Sequence, residues 1–193
     1  MEKENITLAH SKKRGAASVY KLAVTGMCAA LICVLSVISI PIQPVPFTLS
    51  VFAIFLTGGL LSPKYAFCAA LLYVLIGAVG LPVYSGFGAG PGILFGLTGG
   101  YLMSYPLMAA VVALSVKLFK GRSALSLSLG MIAALALCYL LGTAWFVFQS
   151  KMSVGQALAL CVVPFILFDL LKAALAELLL FALLKTPAAK YLF

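Results

Sequence analysis

Charged side chains are scarce in this sequence. Only 9% of its 193 residues are charged, with 4 Asp and Glu against 13 Lys and Arg, whereas 64% are hydrophobic. Soluble domains average about 25% charged and about 45–50% apolar residues. The composition therefore excludes an ordinary soluble domain and predicts an all-α integral membrane protein of the cell membrane, in contact with lipid.

Motifs for several kinds of chemistry are also absent. The five cysteines lie inside apolar segments without C-x-x-C spacing, and the single histidine, His10, precedes the first apolar run. Neither a disulfide framework nor a metal site is expected. The sequence has no phosphate-binding G-x-x-x-x-G-K-[ST] motif and no nucleophile beside a base, so we expect no enzyme activity, no catalytic residue and no cofactor.

The hydrophobic residues form six runs that predict six transmembrane helices. The runs cover residues 22–40, 47–61, 65–81, 93–116, 125–148 and 158–184. A spanning helix needs about 20 apolar residues, so the second run is short and the last is long. We expect one membrane domain over residues 22–185, a retained N-terminal tail over residues 1–21 and a C-terminal tail over residues 186–193.

The basic residues indicate how these helices are oriented. All thirteen Lys and Arg residues except Lys151 and Lys172 fall in the two tails or in the loops after the second and fourth runs. The positive-inside rule therefore predicts that both termini are cytoplasmic. Because topology explains the net charge of +9, and no basic stripe meets aromatic residues, we expect no nucleic-acid partner.

Two charged residues, Asp169 and Lys172, lie in the middle of the last run. A charge at the bilayer centre costs about 2.5–3.5 kcal/mol on insertion scales. The two are three residues apart, hence on one helical face, and Pro164 can loosen the backbone before them. This arrangement predicts the polar floor of a binding site, with a purely structural ion pair as the alternative. Glu177 lies about 12 Å deeper and is expected to contact a neighbouring helix or the inner interface instead.

The loop over residues 77–101, GAVGLPVYSGFGAGPGILFGLTGGY, is rich in glycine and carries no charge. Its interleaved apolar and aromatic residues favour burial, unlike those of a flexible Gly/Ser linker. The loop is therefore predicted to be a folded lid or re-entrant cap over a ligand, although an outer loop without a ligand remains an alternative.

Two further features have two interpretations each. Gly26 and Ala30 form a small-xxx-small pair that lets another helix approach closely, either within this chain or from a separate membrane subunit. Trp145, the only tryptophan, is either an anchor at the membrane interface or a stacking wall of the outer pocket.

Several motifs taken together resemble those of the BioY family, the biotin-binding S components of energy-coupling factor (ECF) vitamin transporters. They are VPFTL at 45–49, GLPV at 80–83 followed by Ser85-Gly86, TGGY at 98–101, Gly142 with Trp145, and Asp169 with Lys172 after Pro164. The resemblance covers nearly the whole chain from about Leu22.

The resemblance implies a six-helix S-component fold that holds biotin, the transported ligand, near the outer face under the loop between the third and fourth helices. It implies a transmembrane coupling subunit and two ABC ATPases as partners, with Gly26 and Ala30 at the contact with the coupling subunit. Asp169 would accept a hydrogen bond from a ureido N–H, and Lys172 would donate to the ligand or keep Asp169 ionised. The residues expected to enclose the ligand are Trp145, Tyr101, Gly100, Gly99, Thr98, Gly86 and Ser85.

The sequence departs from the family pattern at four positions. Leu97 replaces a usual proline, Ser50 a frequent glutamine, and Gly88 and Leu102 occupy positions where some members have polar or basic side chains. The last two leave the anchor of the biotin carboxylate open, with backbone N–H groups, Ser85 and Thr98 as candidates.

Two other functions remain to be compared with biotin capture. One is an S component for a different vitamin. The other is a stand-alone secondary transporter that uses Asp169 and Glu177 as proton carriers, for which uptake would stop when the proton gradient collapses.

Overall fold

The protein is a bundle of helices with one short hairpin. The structure, a computed structural model, describes residues 2–42 and 44–185, and the side chains from Val19 onwards. The helices are α1 (Glu2–Val37), α2 (Ser50–Leu60), α3 (Pro63–Val79), α4 (Pro91–Leu94), α5 (Gly99–Leu118), α6 (Ala124–Ser150), α7 (Val154–Cys161) and α8 (Val163–Leu184). Strands β1 (Ser39–Ile40) and β2 (Phe47–Thr48) pair antiparallel, and Ser85–Phe87 form a 3₁₀ turn.

The helix lengths support several membrane crossings. Within the described residues, the Val19–Val37 part of α1, together with α5 and α6, is long and apolar enough to cross a bilayer, and α7 with α8 adds a bent fourth candidate. Helices α2 and α3 are apolar but shorter, with 11 and 17 residues. The protein is therefore a multi-pass membrane protein, while the count of six spans and the cytoplasmic placement of both termini stay predictions. The tail predicted over residues 186–193 lies outside the described residues.

The first, second and fourth predicted segments have different boundaries in the structure, and the second begins with strand β2 before helix α2 starts at Ser50. Helix α1 extends back to Glu2, through the predicted tail, and ends at Val37 rather than at residue 40. Ile40 lies instead in β1, because the prolines that follow cannot continue a helix and favour extended backbone before them. In the fourth segment, the glycine-rich chain forms only the one-turn α4 before α5 begins at Gly99.

The last predicted segment is two helices rather than one. Helices α7 and α8 meet at a bend of 43°. Val162 has φ −123° and ψ −55°, outside helical geometry, and Pro164 lies in the first turn of α8. Proline is tolerated there because the N–H it lacks has no helical partner at that position. The backbone is thus bent before the charged pair, as predicted, and Pro164 lies in the first turn of the charged helix.

Helix α2 lies in the core, and two glycines bring it against its neighbours. A Cβ on Gly58 would lie 2.6 Å from the Cβ of Val112 in α5, and one on Gly59 would lie 2.3 Å from a methyl carbon of Leu180 in α8. The C-terminal carbonyls of α2 accept hydrogen bonds from Arg122, whose Nε lies 2.7 Å from the Gly59 oxygen. Burial lowers the pKa of Arg122 to about 10, so it remains charged at pH 7 and can cap this short helix.

Gly58→Ala should destabilise the bundle, by about 1–3 kcal/mol, because the added methyl group would overlap Val112 and the Ala109 carbonyl oxygen. The matched control is Gly26→Ala, since a Cβ there meets nothing within 4 Å and alanine favours helix more than glycine does. Thermal unfolding in detergent measures both. Equal losses of stability in the two variants would contradict this account of the packing.

Candidate ligand-binding site

A cavity of about 490 Å³ lies between the hairpin, the end of α1, helices α3 and α5, and the glycine-rich loop. Its size is in the range of about 300–1,000 Å³ that is typical of small-molecule sites. The described residues that line it carry no charge; they are apolar residues, serines, threonines and four tyrosines. The walls suit a ligand with an apolar body and a few polar atoms.

Three of the tyrosines form one aromatic cluster. The Tyr73 ring stacks on that of Tyr105 with centroids 6.2 Å apart, and Tyr84 meets Tyr73 edge-on at 5.7 Å. The Tyr84 hydroxyl donates to the Val74 carbonyl at 2.6 Å, and its ring fits where Gly77 has no side chain. This cluster was not predicted from the sequence. The sequence feature that could have indicated it is that Tyr73 and Tyr105 lie well inside apolar runs, away from the membrane–water interfaces where tyrosine is common.

Polar contacts hold the start of α2 against the cluster. The Tyr105 hydroxyl and the Ser50 Oγ are 2.8 Å apart, and the Ser50 hydroxyl also hydrogen-bonds to that of Thr48. Ser50 and Tyr105 are both buried. The network therefore fixes the end of the hairpin beside α5, and it assigns a structural role to Ser50, one of the positions that departs from the family pattern.

Asp169 and Lys172 form a buried ion pair, as their spacing predicted. Lys172 Nζ lies 2.8 Å from Asp169 Oδ1, the Tyr139 hydroxyl donates to Oδ2 at 2.7 Å, and the two charged residues are only 5% and 6% exposed. Lys172 Nζ also lies 3.8 Å from the centroid of the Phe47 ring. Each charge thus has a partner, which meets the requirement for placing it at membrane depth.

The ion pair lies beside the large cavity, in a space that adjoins it. It lines a side pocket of about 50 Å³. Five residues line both spaces: Val45, Pro46, Thr48, Tyr101 and Tyr105. The hairpin and two tyrosines of α5 therefore form a wall that a ligand in the large cavity would contact next to the ion pair.

The other predicted site residues divide into two groups. Tyr101, Thr98, Ser85 and Gly86 line the large cavity. Three others contribute to packing between helices instead. They are Gly99, Gly100 and Trp145.

The close approach of Leu94 to Gly99, and of Trp145 to Gly100, explains why those glycines are needed. The indole Nε1 of Trp145 donates to the Gly96 carbonyl at 2.9 Å. A Cβ on Gly100 would lie 2.3 Å from the Cβ of Trp145, and one on Gly99 would lie 1.7 Å from the Leu94 carbonyl oxygen. Trp145 thus supports the glycine-rich loop from α6, outside the lining of the large cavity. A direct binding role for these three residues stays a prediction.

The glycine-rich loop is folded, as predicted, and it contacts the hairpin. Gly86 has φ +63° and donates its N–H to the Ser39 Oγ at 3.0 Å. Tyr84 N donates to the Gly88 carbonyl at 3.0 Å, which closes a tight turn. Together the loop and the hairpin cover one side of the large cavity.

The remaining predicted residues lie away from the cavity. Gly26 and Ala30 are exposed on α1, and a Cβ at Gly26 would meet nothing within 4 Å. The interpretation that Gly26 packs against another helix of this chain is therefore wrong. Glu177 accepts a hydrogen bond from Ser128 of α6 at 2.7 Å, which confirms that it contacts a neighbouring helix. Among residues 2–42 and 44–185, no three His, Cys, Asp or Glu side chains are grouped so as to hold a metal ion.

Lys172→Met should destabilise the protein by about 3–5 kcal/mol, because it leaves Asp169 buried without its cation. The double variant Asp169→Asn with Lys172→Met should be more stable than Lys172→Met alone, since it removes both charges. Thermal unfolding in detergent compares the three proteins. A double variant as unstable as Lys172→Met would show that the pair is not coupled in this way.

These features define a class of protein: a multi-pass membrane protein with lipid-facing apolar helices, a cavity of small-molecule size and a buried ion pair beside it. A profile described as the BioY family matches residues 8–188. The chain belongs to the BioY family, which confirms the family predicted from its motifs.

Individual relatives and a solved structure agree with this assignment. Biotin transporter BioY of Thermotoga maritima is 42% identical over 160 residues, 83% of this chain and 93% of the relative. Biotin transporter BioY2 of Lactococcus lactis is 33% identical over 167 residues, 86% and 91% of the two chains. A crystal structure of the S-component for biotin from an ECF-type ABC transporter superimposes with a TM-score of 0.82 at 27% identity, covering 88% of this chain and 93% of the other.

Proposed function

We propose that this chain is the biotin-binding S component of an ECF-type ABC transporter, which captures biotin at the outer face and delivers it inward. The observation that carries the proposal is the likeness, over most of both chains, to the solved S-component for biotin. The large, uncharged cavity beside a buried ion pair is compatible with that ligand. The protein would bind and release biotin without chemically changing it.

The chemistry of biotin matches the two parts of the site. Biotin has a ureido group with two N–H donors and one carbonyl acceptor, an apolar thioether ring and an aliphatic chain that ends in a carboxylate. Each oxygen of Asp169 accepts one hydrogen bond within the protein and can accept another. Asp169 can therefore accept from a ureido N–H, while Lys172 donates to the ligand or keeps Asp169 ionised. Tyr101 and Tyr105, which line both spaces, would contact the rings.

The transporter would also contain partners that supply the energy. A transmembrane coupling subunit and two ABC ATPases would complete the transporter. Helix α1 offers Gly26 and Ala30 on a face exposed in this chain, where a second helix can approach closely. We assign this face to the coupling subunit.

Purified, ligand-depleted protein in detergent should bind biotin saturably in a calorimetric titration. Asp169→Asn should weaken binding at least tenfold, or 1.4 kcal/mol, because an amide cannot supply the charged acceptor. Lys172→Ala should weaken it similarly. Size-exclusion profiles identify any variant that fails to fold, and Tyr139→Phe, which removes one hydrogen bond to Asp169 and no charge, is the milder substitute in that case.

Glu177→Gln is the matched control, because it neutralises the other acid of α8, which contacts Ser128 and not Asp169. It should leave biotin affinity unchanged. A folded wild-type protein that ignores biotin but binds a different vitamin would overturn the choice of ligand. Uptake that needs Glu177 and the proton gradient, but no ATPases, would instead support a secondary transporter.

Replacing Gly26 and Ala30 together by leucine should abolish biotin uptake by the assembled transporter, since bulky side chains would block close helix contact. Biotin binding by the purified chain should be unchanged, because both positions lie away from the cavity. Co-purification with the coupling subunit and calorimetry of the chain alone measure the two effects. Intact assembly of the leucine variant would exclude this face as the interface.

A further inference from the structure

Two buried hydroxyl groups on the wall of the large cavity have no hydrogen-bond partner. They are Ser36 Oγ on α1 and Tyr73 OH on α3, and these are the buried side-chain polar atoms left unpaired within the part of the chain that the structure describes. Ser36 is 1% exposed and Tyr73 is 0% exposed, and both line the cavity. The two hydroxyls are close enough to interact electrostatically with each other, but the geometry of a hydrogen bond between them is not met.

The other buried hydroxyls that line the cavity, and the hydroxyl of Ser39, already have hydrogen-bond partners within the protein. Tyr84 donates to Val74, Tyr105 pairs with Ser50, Tyr101 pairs with Thr143, and Ser39 accepts from Gly86. Burying an unpaired hydroxyl costs about 1–3 kcal/mol in proteins. Two such groups side by side on one cavity wall therefore suggest a shared partner that enters the cavity.

This pair is separate from the polar site at Asp169. Neither Ser36 nor Tyr73 lines the side pocket that contains the ion pair. Tyr105 connects the two regions, since it stacks on Tyr73 and lines both spaces. A ligand that reaches both regions must have polar groups at two ends and an apolar part between them.

Hydroxyl groups can donate hydrogen bonds, and those of Ser36 and Tyr73 are the unpaired buried ones among the described residues that line the cavity. A carboxylate offers two oxygens, so it can accept from both hydroxyls at once. Hydrogen bonds to a charged acceptor are also stronger than those between neutral groups. These points favour the acidic end of the ligand over its ureido carbonyl, which shares a ring with the N–H groups assigned to Asp169.

We propose that Ser36 and Tyr73 form a second polar subsite, in which their hydroxyls donate to the carboxylate of bound biotin. The inference rests on the proposed function and adds a specificity determinant to the same site. The subsite supplies the carboxylate with hydrogen bonds where Gly88 and Leu102 provide neither a charge nor a hydroxyl. It would make the protein select biotin over analogues that lack the acid.

The test is a calorimetric comparison of two ligands on purified protein. One ligand is biotin, and the other is an analogue in which a methyl group replaces the carboxyl group while both rings are kept. Tyr73→Phe should lower the affinity for biotin about tenfold or more and change that for the analogue less than about twofold. Ser36→Ala should act in the same direction.

Tyr84→Phe is the matched control, because it removes a hydroxyl on the same cavity that is already bonded to Val74. It should leave the ratio of the two affinities unchanged. Without ligand, Tyr73→Phe should unfold at the same temperature as the wild type or higher, since it removes an unpaired buried group.

The outcomes separate the two proposals. A wild-type protein that does not bind biotin contradicts the proposed function. If the wild type binds biotin, but Tyr73→Phe and Ser36→Ala leave the ratio of the affinities for biotin and the analogue unchanged, the subsite is contradicted and the proposed function is not. The two hydroxyls would then not distinguish the carboxylate from the methyl group. Selective loss for biotin supports the subsite.

Discussion

The structure depends on one constraint: polar groups surrounded by helices in lipid must find partners inside the protein or in a bound ligand. The ion pair of Asp169 and Lys172 meets it with help from three elements. Tyr139 of α6 donates to the carboxylate, and Phe47 of the hairpin lies against the ammonium group. These contacts bring α8, α6 and β2 together beside the cavity.

The shape of the cavity depends on where glycines allow aromatic rings to enter the helix interfaces. Gly77 of α3 leaves space for the Tyr84 ring, and Gly142 of α6 leaves space for the Tyr101 ring, since a Cβ at either position would lie within 2.3 Å of that ring. Gly100 likewise leaves space for the Cβ of Trp145. Small residues on the helices thus place the large residues that line or support the site.

The sequence was informative where a physical rule acts along the chain. Spacing of three residues sufficed to pair Asp169 with Lys172, and a charge-free glycine-rich loop with aromatics indicated a folded cover. Prediction was weaker where a contact depends on how two distant segments pack against each other. Trp145 could be placed near the outer pocket, but its donation to Gly96 depends on how α6 meets the loop. The unpaired state of the Ser36 and Tyr73 hydroxyls could not be predicted, because a hydroxyl in an apolar run is ordinary until its partners are known.

The sequence by itself determined the membrane environment, the family and the helical face that carries the ion pair, because hydrophobicity, motifs and helical periodicity are properties of consecutive residues. The tertiary structure decided that α7 and α8 meet at a bend just before Pro164, that Gly99 and Gly100 serve packing, and that Tyr101 and Tyr105 lie beside both the ion pair and the large cavity. It also decided which hydroxyls remain unpaired. These outcomes depend on contacts between residues far apart in the chain, and such contacts exist only once the helices have packed.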